Sequence, residues 1–495
     1  MEVNRNTILL PALLASVAGT SLFLISIIDL VSQKTVFFGL TIILIMYIFL
    51  EAARVRRQHN RWLLIPVLFS AIITFLVPYG ITNILYVIPD GIVGGTGALP
   101  EVSSSMVKIM WLSILGSIAL WLGYWSPFAS IIANSAAKRK IDRFLDASET
   151  PRRFALPLLL LVSLASRLTQ IKLGIFGYSS NYEKLIEMGS VTQYFSMISS
   201  LGVLALVVSA IWRYSNNAGK SAFIWFYLIF IVELFFGFLS GFKSQVAIPF
   251  VIAGVCMYLY NGRISKRWIL YTIISLIIAY AIIEPFRVLK NSNQSFQGTS
   301  VTEIVGTYME AINEVGKDSG NSDRSTLVEF LERSSLVSIG SLGIDYSDSQ
   351  NGLPEGSPDL IKGIIFSPIY ALVPRIIWNT KPVGDLALWY TQVVVGQTKS
   401  FSATAMGAVT YFYLAGGAIA VVIGFFCFGV MQKIFFVLFR PNGQSARTLV
   451  YLGILPSICD IGNAVDGTLI NLFRIIPIIL IIQYFIYART KINRI

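Results

Sequence analysis

The chain has 495 residues, of which 55% are hydrophobic and 13% charged, with a mean hydropathy of +0.70. A water-soluble protein of this length carries about twice that charged fraction, so a soluble fold is excluded. Lysine and arginine number 38 against 26 acids, a net charge of +12. The excess is dispersed between apolar runs, which fits membrane topology and argues against a nucleic-acid-binding module.

Twelve apolar runs fall near 8–31, 34–53, 62–85, 106–128, 154–171, 193–212, 221–241, 244–260, 268–285, 406–431, 448–465 and 468–488. They are continuously apolar, so they predict helices and not the alternating strands of a barrel. The expected fold is an all-α polytopic integral membrane protein of about twelve transmembrane helices. The first run is longer than a signal-peptide core and lacks a convincing cleavage site, so it reads as an uncleaved span. Cys256, Cys427 and Cys459 lie inside apolar runs and imply no disulfide framework. The single histidine, His59, sits in the basic run 54–61, which leaves no basis for a histidine-built zinc centre or a Ser-His-Asp triad.

Basic residues recur in alternate loops: Arg54 to Arg61, Lys138 to Arg153, Arg263 to Arg267, Lys433 to Arg447 and Arg489 to Arg494. All fall on one side if both termini are cytoplasmic, as the positive-inside rule requires. Residues 286–405 then face outward, with nine basic and twelve acidic residues and a net charge of −3. The predicted organisation is a bundle of about nine helices over 1–285, a large extracytoplasmic loop over 286–405, and about three helices over 406–495. A loop of that length is usually functional.

Within it, residues 300–316 have helical spacing of Val301, Ile304, Val305, Tyr308, Met309 and Ile312, with Ser300 and Glu303 as a capping box. Glu310 and Glu314 lie on the opposite face, either as a solvated acidic stripe or as candidate catalytic carboxylates. A flexible turn is expected over 314–325, a short helix over about 326–337 carrying Arg333, and a polar Gly/Pro/Asp-rich stretch over 345–359. Residues 361–378 are apolar enough to span but contain Pro368 and Pro374. A full crossing there would send the later basic loops outside. A re-entrant or interfacial segment anchored by Tyr370 and Trp378 is expected instead, with Arg375 and Lys381 at headgroup depth.

Outer-side cations are the exceptions to the charge rule: Arg167, Lys172, Lys243, Arg287, Lys290, Arg333, Arg375 and Lys381. Such groups suit a diphosphate, whose oxygens guanidinium binds bidentately. The competing explanation is ordinary snorkelling or pairing with the loop's acids. Residues 237–244 have the wrong spacing for a P-loop, no acidic pair marks a metal site, and no cofactor is expected. Glu233, Glu284, Asp460 and Asp466 lie within or at the ends of spans, where acids can mark ion paths, so a transporter stays open.

The stretch Arg333-Ser-Ser-Leu, the element Pro374-Arg375-Ile-Ile-Trp378-Asn-Thr-Lys381-Pro382, and Gly407 to Gly417 entering a span together resemble Wzy-type O-antigen and exopolysaccharide polymerases. Residues 240–244 resemble the hairpin tip where many such proteins have arginine, with Lys243 standing there instead. Arg287 and Gly298 match an Arg-x10-Gly pattern. The resemblance is sharp over 333–417.

It implies a metal-independent GT-C-type glycosyltransferase of the bacterial inner membrane. The enzyme would move a growing glycan from undecaprenyl diphosphate to the non-reducing end of another lipid-linked repeat unit, for an O-antigen, an enterobacterial-common-antigen-like polymer or an exopolysaccharide. Arg375, Arg333 and Arg287 become the candidates for diphosphate recognition and leaving-group stabilisation, followed by Arg167 and Lys381. Glu310, Asp345 and Asp348 become candidate bases. Lys172, Lys243, Lys290, Trp378 and Tyr370 complete the expected substrate-binding set. Expected partners are undecaprenyl-diphosphate-linked oligosaccharides, membrane lipid, a chain-length regulator and a flippase, with no nucleic acid. The alternatives are a lipid-linked oligosaccharide flippase or other transporter, and an O-antigen ligase.

Overall fold

The computed structural model describes residues 5–86, 101–134, 141, 144–145, 147–180, 184, 188–215, 219–292, 296, 298–318, 331–332, 334–350, 358–373, 377–378, 386–398, 404–441, 445–459 and 465–489. Among them, eleven helices are long and apolar enough to cross a membrane, and the chain is an all-α multi-pass membrane protein. A twelfth apolar helix, Ser445–Cys459, has 15 residues. At 1.5 Å per residue it reaches about 22 Å, short of the roughly 30 Å hydrocarbon core.

The chain divides into two compact units. The first comprises Met1–Ile141, Asp323–Leu438 and Ile454–Ile475. Its spans are α1 (Arg5–Ile27), α2 (Gln33–Gln58), α3 (Pro66–Tyr86), α4 (Ser104–Trp125) and most of a long helix, Ala408–Phe439. Ser103 caps α4 by accepting from Met106 N at 3.2 Å, which satisfies one of the donors a helix start leaves open. Phe23 of α1 stacks on Trp111 of α4 with ring centroids 4.5 Å apart. Gly123 and Gly429 lie where α4 crosses the long helix. A Cβ on either would run into backbone, Phe426 O for Gly123 and Leu120 O for Gly429. Lipid tails offer no hydrophobic drive for helix association, so small residues that let backbones approach supply it through packing.

The second unit comprises Asp142–Ser322, Phe439–Gly453 and Ile476–Ile495. It holds α5 (Ala155–Leu173), α6 (Gly189–Tyr214), α7 (Lys220–Leu239), α8 (Lys243–Asn261), α9 (Lys266–Ser292) and α10 (Val301–Asp318). A short antiparallel pair, β1 (Ala147–Pro151) with β2 (Tyr487–Arg489), closes one end. Large apolar side chains such as Ile269, Leu270, Ile273 and Ile277 of α9 are exposed. Contiguous surface of this kind belongs against lipid.

The loop region adds α11 (Val337–Ser349), α12 (Leu360–Ile365) and α13 (Ser367–Leu372) to the first unit. The long helix, α14 (Ala408–Phe439), breaks at Gly416 and Gly417, where φ is 174° and 68°. It is followed by α15 (Ser445–Cys459) and α16 (Val465–Ile486).

Two sequence expectations change here, the irregular stretch from 345 and the buried face of α10, while 361–378 keeps to short segments as expected. Residues 345–349, read as the start of an irregular polar stretch, form the last turns of α11. Gly340 and Gly343 weaken a helix on propensity alone, but Thr410 and Tyr390 press against them, with Thr410 Oγ1 2.7 Å from a Cβ on Gly340 and Tyr390 Oη 2.7 Å from one on Gly343. Packing overrides propensity. Residues 361–378 contain two helices of six residues each, about 9 Å long and far too short to cross. In α10, Ser300 Oγ accepts from Glu303 N at 3.1 Å and Glu303 in turn accepts from Thr299 N at 3.0 Å. Its buried stripe is Ile304, Thr307, Tyr308 and Ala311, while Met309 and Ile312 are exposed. One residue turns a helix by about 100°, so Met309 cannot share the face of Tyr308.

Candidate functional site

At one end of the second unit, Ser240 to Lys243 turn tightly between α7 and α8. Gly241 has φ +68°, and a Cβ there would stand 2.9 Å from Tyr178 Cβ and 3.2 Å from Phe286 Cε1. Only glycine meets both demands. Arg287, near the end of α9, donates through Nε at 3.0 Å and Nη2 at 2.8 Å to Gly241 O. Its guanidinium lies 4.6 Å from the Tyr178 ring centroid and 5.8 Å from that of Phe242. Lys290 donates to Ser180 O at 3.1 Å and lies 4.9 Å from the same Tyr178 ring. Lys243 pairs with Glu284 and sits 3.6 Å from the Tyr280 ring centroid.

Three cations predicted from sequence, Lys243, Arg287 and Lys290, thus meet around aromatic faces. Glu284 is the acid facing two of them, with Arg287 Nη1 at 3.7 Å from its Oε1. Burial lowers the pKa of the Lys290 ammonium. Beneath them Tyr308 of α10 stacks on Phe286 at 3.9 Å and donates to Phe238 O at 2.7 Å. Burial raises the pKa of its phenol. Gly298, the partner of Arg287 in the Arg-x10-Gly spacing, has φ +63° and lies against Ser179 O. The spacing therefore returns the chain to the same cluster.

Arg167 behaves differently. It is 6% exposed and forks onto Glu233, with Nη1–Oε1 and Nη2–Oε2 both 2.8 Å. Nη2 also donates to Ser199 O at 3.3 Å. Its charge is spent inside the helix bundle, joining α5, α6 and α7, and is not presented as a headgroup cation. The same pairing neutralises Glu233, one of the acids that kept an ion path open. Lys172 and Glu310 are exposed on the last turn of α5 and on α10.

In the first unit a second polar group forms where α11 packs on the start of α4. Lys108 pairs with Asp348 Oδ2 at 2.6 Å, and Tyr413 Oη donates to Asp348 Oδ1 at 2.6 Å. Ser105 Oγ donates to Asp345 Oδ1. Asp345 and Asp348 stand one helical turn apart. Both oxygens of Asp348 are engaged by donors. Among the described residues Asp345 meets one side-chain partner, the Ser105 hydroxyl, on one oxygen. Tyr370 and Trp378 pack with ring centroids 5.6 Å apart. Arg333, Arg375 and Lys381 lie outside the described residues.

An apolar cavity of about 400 Å³ runs along α14, lined by Phe412, Ala415, Ile419, Ile423 and Phe428 with Ile361 and Ile364 of α12. Its apolar lining has the character a hydrocarbon chain would meet. At its α12 side, Gly363 approaches Asp466 and the Tyr411 hydroxyl, with 3.4 Å to Asp466 Cβ from a Cβ placed on the glycine.

Sequence reasoning missed Lys108, Tyr413, Ser105 and Tyr178. Lys108 carried a readable signal, since it is the one charge in α4, and an ionisable residue inside a span is a functional candidate by default. Tyr178 carried none, because its value lies in which cations fold onto its ring. Among the described residues no three His, Cys, Asp or Glu side chains converge as a metal site would need.

No curated protein and no solved structure matches the chain. The family described as Domain of unknown function (DUF8712) matches residues 161–437, more than half of the chain. The match runs from within α5 to within α14, so it takes in the Lys243–Arg287–Lys290 group, Asp345, Asp348 and Tyr413, and leaves Lys108 before its start. The chain belongs to the Domain of unknown function (DUF8712) family.

Proposed function

We propose that the protein is a GT-C-type polysaccharide polymerase of the bacterial inner membrane, with both termini cytoplasmic and 286–405 facing outward. It transfers a growing glycan from undecaprenyl diphosphate to a lipid-linked repeat unit. The observation that carries this reading is the meeting of Arg287 and Lys290 over the Tyr178 ring with Lys243 nearby over the Tyr280 ring. Among the described residues one carboxylate, Glu284, faces this group of three cations, and Lys290 in its partly desolvated place gains from an anion beside it. Arg375, Arg333 and Lys381 enter the reading from the sequence element alone.

In the transfer, an acceptor hydroxyl oxygen bonds to the anomeric carbon of the donor glycan. The bond from that carbon to the diphosphate oxygen breaks, and the diphosphate leaves with the electron pair. Cations stabilise the charge that develops there. The acceptor's proton passes to a carboxylate, for which Glu310, Asp345 and Asp348 are the candidates. The apolar cavity along α14 is of the kind a polyprenyl tail requires, and the lipid diphosphate supplies the leaving group, so no cofactor is needed.

The test is the glycan made by a deletion strain. Loss of long polymer with single repeat units still attached supports polymerisation. Absence of any exported repeat unit indicates a flippase, and free polymer that is not attached to its acceptor indicates a ligase. Either of these latter outcomes overturns the reading.

A further inference from the structure

A separate set of cations meets at the opposite end of the first unit from Lys108. Trp125, the last residue of α4, has His59 stacked on it with centroids 5.8 Å apart and planes at 14°. The Arg54 guanidinium lies 5.6 Å from the Trp125 centroid, and Lys433 Nζ lies 5.0 Å from it and 4.9 Å from Tyr124. Residues from α2, α4 and α14 thus converge on one indole at the end of three spans.

Among the described residues basic groups outnumber acids there, and one buried donor lacks an acceptor. Arg54 pairs with Glu51, through Nη1–Oε1 at 3.0 Å and Nη2–Oε2 at 2.6 Å. Glu51 is the one acid in residues 51–61, against four arginines, and Arg56, Arg57 and Arg61 are exposed beside it. The indole Nε1–H of Trp125 is buried and has no acceptor among the described residues. A buried donor without an acceptor destabilises the fold, and an anion in this place would supply one.

We propose that Arg54, His59, Trp125 and Lys433 form a binding site for the phosphate of an anionic phospholipid. The site lies at the ends of apolar spans, where a lipid headgroup is already present at high local concentration. Aromatic rings and basic side chains at that depth match the two parts of the lipid, the glycerol region and the phosphate. The inference goes beyond the polymerase reading and does not depend on it.

His59 makes the test local, because it is the only histidine in the chain and its carbethoxylation by diethyl pyrocarbonate reports on this site alone. The full chain is reconstituted in phosphatidylcholine, or in phosphatidylcholine with about a quarter phosphatidylglycerol, and the rate of His59 modification is followed. Phosphatidylglycerol is expected to slow it. Removing one cation near a membrane surface weakens anionic-lipid binding about fivefold, so Lys433→Ala needs about fivefold more phosphatidylglycerol for equal protection. Trp125→Phe keeps an aromatic ring but removes the indole N–H, so it tests the site should Lys433→Ala fold poorly; it too should weaken protection. Lys266→Ala, which removes one charge at the start of α9, should behave as the parent. Three results would each overturn the proposal: no protection by phosphatidylglycerol, equal protection by inorganic phosphate in phosphatidylcholine, or equal weakening by Lys266→Ala.

Discussion

Arg287 offers the sharpest test of how the cation cluster is built. Its two donors hold Gly241 O at 3.0 and 2.8 Å, and the turn they clamp gathers three backbone bonds. Tyr178 N donates to Ser240 O at 2.7 Å, Gly241 N to Phe238 O at 3.0 Å and Gln245 N to Phe242 O at 3.0 Å. A charge-assisted bond contributes about 1.5–3 kcal/mol. Here two bonds share one acceptor and the side chain is 24% exposed, so the pair together is worth about 2–3 kcal/mol after screening. Arg287→Ala should lower the local opening free energy of the turn by that amount, which is roughly 30- to 150-fold faster amide exchange. Arg287→Lys keeps the charge but can direct only one donor to Gly241 O, so it should recover about half in free energy. The assay is hydrogen–deuterium exchange on the peptides covering 238–245 and 176–180, with 104–125 in the first unit as the reference. If exchange at 238–245 is unchanged in Arg287→Ala, the guanidinium does not organise the turn and the cluster has been misread. If lysine matches arginine, the planar fork is irrelevant.

Other outcomes follow from single contacts. Arg167→Ala strands Glu233 in the bundle and should cost about 3–5 kcal/mol, read as lost thermal stability in detergent, whereas Arg167→Met with Glu233→Leu should regain most of it. Gly343→Val drives a branched side chain into Thr410 and Tyr390 and should destabilise by about 1–3 kcal/mol, while Gly306→Ala, which has open space, should not. A reporter fused after Gly320 should be active outside the cytoplasm and one after Arg143 inside; the reverse would put the cation cluster in the wrong compartment for a lipid-linked glycan.

Apolar run length and the placement of basic loops carry most of what the sequence determines, because a bilayer punishes any uncovered backbone or stray charge in the same way wherever it occurs. The eleven spans, the cap at Ser300 and the grouping of Lys243, Arg287 and Lys290 at span ends could all be read that way. What a cation does at a span end could not. Arg167 and Arg287 look alike in the sequence, yet one is consumed by Glu233 from a helix 66 residues later and the other clamps a carbonyl beside two more cations. Likewise the glycines and serines of 337–349 argue against a helix until Thr410 and Tyr390 arrive to fill the space they leave. Local preference is set by each residue and its neighbours in the chain. Partnership in low dielectric is set by whichever distant group folds within about 3 Å, and only tertiary structure decides that.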